Sequence, residues 1–204
     1  MRNRLDPVRR RYDRLAPVYE WFEGPMEVLA MAAWRQDLVA RVQGPAVLEA
    51  GVGTGKNLPL YGSGLTITAV DLSSRMLERS RRKPVRSPVQ RLVMDVEHLG
   101  FPDNTFDEVL ATFLFCSVSN PVRGLCELAR VVRPGGRVLL LEHVRPGGPL
   151  LGPLFDRLNP LVLHTIGPNI NRDTVGNIRE AGLMVEEETD LFRDIVKRLV
   201  CRVP

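Results

Sequence analysis

The sequence predicts an α/β domain with a mostly parallel sheet and helices on both faces, and three observations carry that prediction. From about residue 45 onward, short apolar runs alternate with helix-like stretches. The first run opens directly into three glycines at every second position. The runs that follow it end at or beside Asp71 and Asp95.

Residues 1–24 are basic and aromatic and end at Gly24-Pro25, a strong break. Met26, Leu29, Ala30, Ala33, Leu38 and Val42 recur at helical spacing, which predicts a helix over 26–42 stopped by Gly44-Pro45. Buried strands are predicted at Ala46–Ala50, Thr66–Val70, Gln90–Met94, Glu108–Thr112 and Arg137–Glu142. Helices are predicted at Ser73–Lys83, Pro121–Val132 and Thr174–Ala181, the last closed by Gly182. Leu183–Glu188 and Ile195–Val203 read as two strands joined near Thr189-Asp190. So short a connection makes them an antiparallel pair at the sheet's edge. Between Pro146 and Asn171 lies a Pro/Gly-punctuated insert rich in leucine, too apolar for a solvated loop. It must pack on the core, a substrate or a membrane.

At 204 residues the chain suits one domain. Its net charge of +4 is almost wholly arginine, since Lys56, Lys83 and Lys197 are its lysines. The arginines are scattered rather than interleaved with aromatics, so a nucleic-acid partner is not expected. Cys116, Cys126 and Cys201 lack CxxC spacing, which argues against a disulfide framework and a zinc site and fits a reducing compartment. The basic start lacks the apolar stretch of a signal peptide, and the run Val109–Val118 is half the length of a membrane span. A cytoplasmic protein with no metal is expected, with room for peripheral membrane contact.

The stretch Glu49-Ala50-Gly51-Val52-Gly53-Thr54-Gly55 is the most informative. Glycine is needed where φ is positive or where a ligand approaches the backbone closely. In an open parallel sheet this first turn faces the crevice beyond the strand ends. A phosphate loop fails here, because Asn57 follows Gly55-Lys56 and Ala50 stands at the required first glycine. A dinucleotide loop fails on the spacing of its third glycine. The remaining pattern, an acid two residues before GxGxG, belongs to loops that bind S-adenosylmethionine; a tight turn with no ligand is the competing account. Glu49 would face the ammonium of the cofactor's methionine end, whose carboxylate can accept from backbone N–H groups of the turn.

Asp71 lies 20 positions beyond Gly51, at the end of the second strand. There a carboxylate can accept from both ribose hydroxyls, as in nicotinamide enzymes; an N-cap for the following helix is the alternative. Asp95, closing the third strand, can accept from an adenine amino group while the Val96 N–H meets a ring nitrogen. A solvated strand-end acid is the other view.

Together these residues resemble the small class I S-adenosylmethionine-dependent methyltransferases, over nearly the whole chain. The motifs are Tyr12-Asp13-Arg14-Leu15-Ala16-Pro17-Val18-Tyr19, the glycine loop after Glu49, Asp71, Asp95, Phe101–Asp107 and Arg133-Pro134-Gly135-Gly136. The likeness is nearest to the group containing phosphatidylethanolamine N-methyltransferases, quinone C-methyltransferases and membrane-associated thiol methyltransferases. The stretches 55–61, Phe115–Val118, Glu142–Val144 and, more weakly, Gly167–Arg172 resemble its phospholipid and thiol branch. The resemblance implies a Rossmann-like three-layer sandwich, a seven-stranded mostly parallel sheet with an antiparallel last strand. It also implies that the Tyr12–Tyr19 segment folds over the cofactor, and that Asn57, Leu72 and Thr112 complete its contacts.

The expected organisation is one domain over 1–204. Residues 1–44 form a helical lid, 45–145 the cofactor-binding core, 146–172 an apolar substrate-side insert, and 173–204 a helix and terminal strand pair. The expected acceptor is a small or lipid-like molecule methylated at an amine nitrogen. Quinone carbon, thiol sulfur and a non-catalytic cofactor-binding protein are the alternatives. Methyl transfer is an in-line displacement in which the protein mainly aligns the reactants. An amine or thiol must also lose a proton, and His143, at the end of the fifth strand, is the first candidate base, with His164 in the insert second.

Overall fold

The computed structural model describes residues 5–16, 31–165 and 169–204. A seven-stranded sheet runs through the molecule in the order β3-β2-β1-β4-β5-β7-β6. Its strands are β1 (Ala46–Ala50), β2 (Thr66–Asp71), β3 (Val89–Val93), β4 (Phe106–Thr112), β5 (Val132–His143), β6 (Met184–Phe192) and β7 (Val196–Arg202). The five strands from β3 to β5 pair in parallel, and β7 pairs antiparallel with both β5 and β6. The helices are α1 (Leu5–Leu15), α2 (Ala32–Val39), α3 (Ser74–Ser80), α4 (Pro121–Val131), α5 (Leu151–Thr165) and α6 (Thr174–Glu180).

Alternation along the central strands builds two cores. Leu48, Val109, Val138 and Leu140 face one side and pack with Leu125 and Leu128 of α4 and Ile178 of α6. Val47, Leu110, Leu139 and Leu141 face the other and meet Leu38 and Val39 of α2 and Leu77 of α3. Strands buried on both faces need continuous apolar runs, which is why the sequence showed them. The order of strands reverses between β1 and β4, and the crevice beyond their carboxyl ends is where ligands bind in such sheets.

Three expectations are corrected. β5 begins five residues earlier than predicted, at Val132, because Gly136 lets the chain press against β4; a Cβ there would lie 2.5 Å from the Asp107 carbonyl oxygen. The hairpin does not turn at Thr189-Asp190. Those residues continue β6, an edge strand whose polar side chains face solvent, and the turn falls at Arg193-Asp194, with φ of 45° and 56°. Helix α2 covers Ala32–Val39 of the predicted 26–42; residues 26–30 lie outside the described ones.

The insert folds as α5, with Pro160 inside it. Asn159 holds it at one point, exchanging hydrogen bonds with the Asn169 side chain and the Ile170 N–H, and Arg145 pairs with Asp156 at another. Its leucines do not reach either core: Leu150 is 83% exposed and Leu161 63%, with Leu154 and Leu158 on the same exposed side. Among the described residues, no helix is long and apolar enough to cross a membrane.

Because a side chain at positive φ strains an L-residue, Arg193→Gly relieves the turn at the cost of glycine's extra freedom when unfolded. The net expectation is a gain of up to about 1 kcal/mol, read as a higher urea midpoint.

Candidate active site

The loops after β1, β2, β3 and β4 converge on an open cleft of about 970 Å³. Gly51, Val52, Gly53 and Thr54 form one wall, Asp71 and Leu72 the next, Asp95 and Val96 the far end, and Thr112, Phe113 and Leu114 the opposite side. Val8 and Tyr12 of α1 lie across it.

Each glycine of the loop has positive φ, but they do different work. At Gly51 a Cβ would strike the Leu114 side chain at 2.6 Å, and at Gly55 it would strike Ser80 Cβ at 2.9 Å. Those two allow close packing on neighbouring chain. At Gly53 a Cβ would meet nothing within 4 Å, so bare main chain opens onto the cleft there.

Asp71 braces this loop. Its two oxygens accept the Gly53 N–H at 2.9 Å and the Ser73 N–H at 2.8 Å. The N-cap of α3 is Ser73, whose hydroxyl accepts the Met76 N–H, so the capping account of Asp71 is set aside. Burial pushes the Asp71 carboxyl up to about 6; the two N–H groups oppose that and nearby Asp13 adds to it. Asp95 accepts the Glu97 N–H at 3.0 Å and faces His98 Nδ1 at 3.3 Å, while still lining the cleft.

Glu49 and Asn57 sit elsewhere than expected. They lie beneath the loop in a buried polar network and do not line the cleft. Asn57 Nδ2 donates to Glu49 Oε1 at 3.0 Å and to Thr112 Oγ1 at 3.1 Å. Arg35 of α2, also buried, donates to Asn57 Oδ1 at 3.2 Å and to Thr112 Oγ1 at 2.5 Å. Buried side chains of this kind need partners, and these four supply them to one another. Burial lifts the Glu49 carboxyl to about 7, against the pull of Asn57, the Tyr61 hydroxyl and Arg35.

On α1, the Tyr12 hydroxyl meets Ser117 Oγ, and Asp13 accepts a hydrogen bond from the Ser73 hydroxyl at 2.5 Å. Burial raises the Tyr12 phenol above its ordinary range. Tyr19 and the side chain of His164 lie outside the described residues. His143 stands behind the cleft wall, its ring 4.7 Å from that of Phe113 and not itself lining the cleft. Among the described residues no group of His, Cys, Asp and Glu could hold a metal.

Sequence reasoning missed Arg35, Phe113 and Leu114 as cleft residues. Arg35 carried no local signal, being one arginine of many. Phe113 lay inside an apolar run that read as ordinary strand, yet its φ is 53°, a conformation aromatic residues rarely adopt.

The raised carboxyls set a pH dependence. A group that holds its proton more tightly when folded stabilises fully below its unfolded pKa, and that contribution is lost as pH rises through the folded value. With Glu49 lifted to about 7 and Glu142 to about 8, stability should decline from about pH 5 to pH 8 by a few kcal/mol. Urea unfolding across that range checks it, and Glu49→Gln should flatten part of the slope.

Comparison with known proteins identifies the family. A family model described as a methyltransferase domain matches residues 48–140. The phosphatidylethanolamine N-methyltransferase of Cereibacter sphaeroides is 42% identical over 151 residues, 72% of this chain and 73% of that protein. The demethylmenaquinone methyltransferase of Chlamydia trachomatis serovar L2 is 31% identical over 187 residues, 90% of this chain and 80% of that one. A Thermotoga maritima structure described as a SAM-dependent methyltransferase, possible histamine N-methyltransferase, matches with a TM-score of 0.71 at 21% identity. That match covers 96% of this chain and 99% of the other. Geranyl diphosphate methyltransferase, solved with GPP and sinefungin, matches at 0.68 and 16% identity over 85% and 78% of the two chains. The two structures support the fold, and the two sequence relatives carry the family: the chain belongs to the S-adenosylmethionine-dependent methyltransferases and is an enzyme of that class.

Proposed function

We propose that this enzyme methylates the amine nitrogen of a phosphatidylethanolamine-like lipid at a membrane surface. The observation that carries the acceptor is the 42% identity to a phosphatidylethanolamine N-methyltransferase, against 31% to the quinone enzyme. The exposed leucine side of α5 supports the lipid surface, since an apolar face of this kind suits an interface. Arg9, Arg10 and Arg14 on α1, the helix that crosses the cleft, would add attraction to anionic lipid of about 1 kcal/mol per cation near the surface.

The cofactor supplies an electrophilic methyl group on a sulfonium; the chain's own residues do the rest. The open main chain at Gly53 lets a nucleoside lie against the loop. Asp71, with a lone pair to spare on each oxygen, accepts from the ribose hydroxyls. Asp95 and the Val96 N–H meet the adenine edge. Tyr12 and α1 cover the bound molecule and exclude water, and the lid and wall hold the acceptor in line with reacting atoms about 3–3.5 Å apart. Glu49 acts through Asn57 as a brace for the loop from below. His143 is the candidate to take the proton of the ammonium acceptor; it stands behind Phe113, so that role requires the Phe113 ring to move aside.

Asp71 must be ionised to accept from two hydroxyls as well as two N–H groups. Because its carboxyl is lifted to about 6, cofactor affinity should weaken as pH falls through that value. Asp71→Asn should bind about tenfold or more weakly at neutral pH and lose this dependence, by titration calorimetry.

Labelled methyl should pass from S-adenosylmethionine to vesicles of phosphatidylethanolamine mixed with anionic lipid. Leu154→Ser with Leu161→Ser should raise the apparent KM on vesicles and leave cofactor affinity unchanged. Transfer to a demethylquinone with none to the lipid amine would overturn the acceptor.

A further inference from the structure

Strand β4 leaves the sheet at Thr112. The Phe113 N–H still donates to the Leu141 carbonyl at 2.7 Å, continuing the ladder by one residue, and then the backbone turns left-handed. The next two amides, of Leu114 and Phe115, have left the strand ladder in an interior where unpaired donors are costly. The side chain of Glu142 meets them both. One carboxylate oxygen accepts the Leu114 N–H at 2.9 Å and the Phe115 N–H at 3.2 Å. Glu142 is fully buried, and among the described residues its second oxygen has no hydrogen-bond partner.

The turn held in this way forms one wall of the cleft. The Phe113 ring lies with the Arg35 guanidinium 5.1 Å from its centre and the His143 ring 4.7 Å away. The Leu114 side chain lies flush on the glycine loop, so close that a Cβ at Gly51 would lie 2.6 Å from it. A non-glycine residue at positive φ persists only where its surroundings over-determine it. Here the surroundings that fix it are the two amides on Glu142.

We propose that Glu142 is a positioning residue for the cofactor cleft. Its carboxyl group holds the left-handed turn at Phe113, and through that turn sets both the aromatic wall and the seating of Leu114 on the glycine loop. Glu142 touches neither cofactor nor acceptor. The inference rests on the cleft being the cofactor's seat, and its test separates the two.

The experiment measures S-adenosylmethionine affinity by calorimetry and amide hydrogen exchange at Leu114 and Phe115, in Glu142→Gln, Glu142→Asp and Glu142→Leu. Glu142→Gln still offers a carbonyl oxygen at the same reach and should keep affinity within about threefold of the parent, with both amides protected. Glu142→Asp is one methylene too short and Glu142→Leu has no acceptor; each should lose that protection and bind about tenfold more weakly. A folded Glu142→Asp or Glu142→Leu protein with parental affinity and protected amides would overturn the proposal, and so would a Glu142→Gln protein as impaired as Glu142→Leu. A parent chain that fails to bind the cofactor would refute the cleft reading, while the exchange data would still test the clamp.

Discussion

A single carboxylate ties the cleft together. Asp71 ends β2 and reaches across to the Gly53 N–H and along to the Ser73 N–H, joining the glycine loop of β1 to the start of α3. The Gly51 and Val52 amides meanwhile donate to the Val70 carbonyl, one residue before it. The loop is thereby locked in a bend that favours glycine, with open space above Gly53.

Around this lock, polar burial does more than apolar packing to shape the site. Glu49, Asn57, Arg35 and Thr112 form one network joining β1, the loop, α2 and β4. Such networks are demanding, because each member left unpaired in low dielectric is costly. Their reward is a fixed geometry: α2, from the amino-terminal region, is pinned against the glycine loop. The Glu142 clamp repeats the logic on the opposite wall.

Much of this was legible in the sequence, for identifiable reasons. Strands buried on both faces must be apolar along their length, so β1, β2 and β4 announced themselves, and GxGxG with Asp71 and Asp95 fixed three corners of the cleft. What was not legible depended on tertiary partners. The hairpin turn at Arg193-Asp194 lacks the glycine or asparagine usual at positive φ, so polar Thr189-Asp190 looked the better turn. Glu49 next to the glycine loop looked like a ligand contact; only the fold shows it facing Asn57. Arg35 and Phe113 acquire their roles from contacts across more than seventy residues of chain, which no local pattern encodes. The insert, expected to pack its leucines on something, folds as α5 with those leucines facing outward, which sequence alone could not say.

The most direct test of the account is a crystal structure with S-adenosylhomocysteine bound. The account predicts both ribose hydroxyls on Asp71, the adenine between Asp95 and the glycine loop, and main-chain contact at Gly53. A nucleoside seated elsewhere, or an Asp71 that keeps only its two backbone partners while the ribose points away, would contradict it.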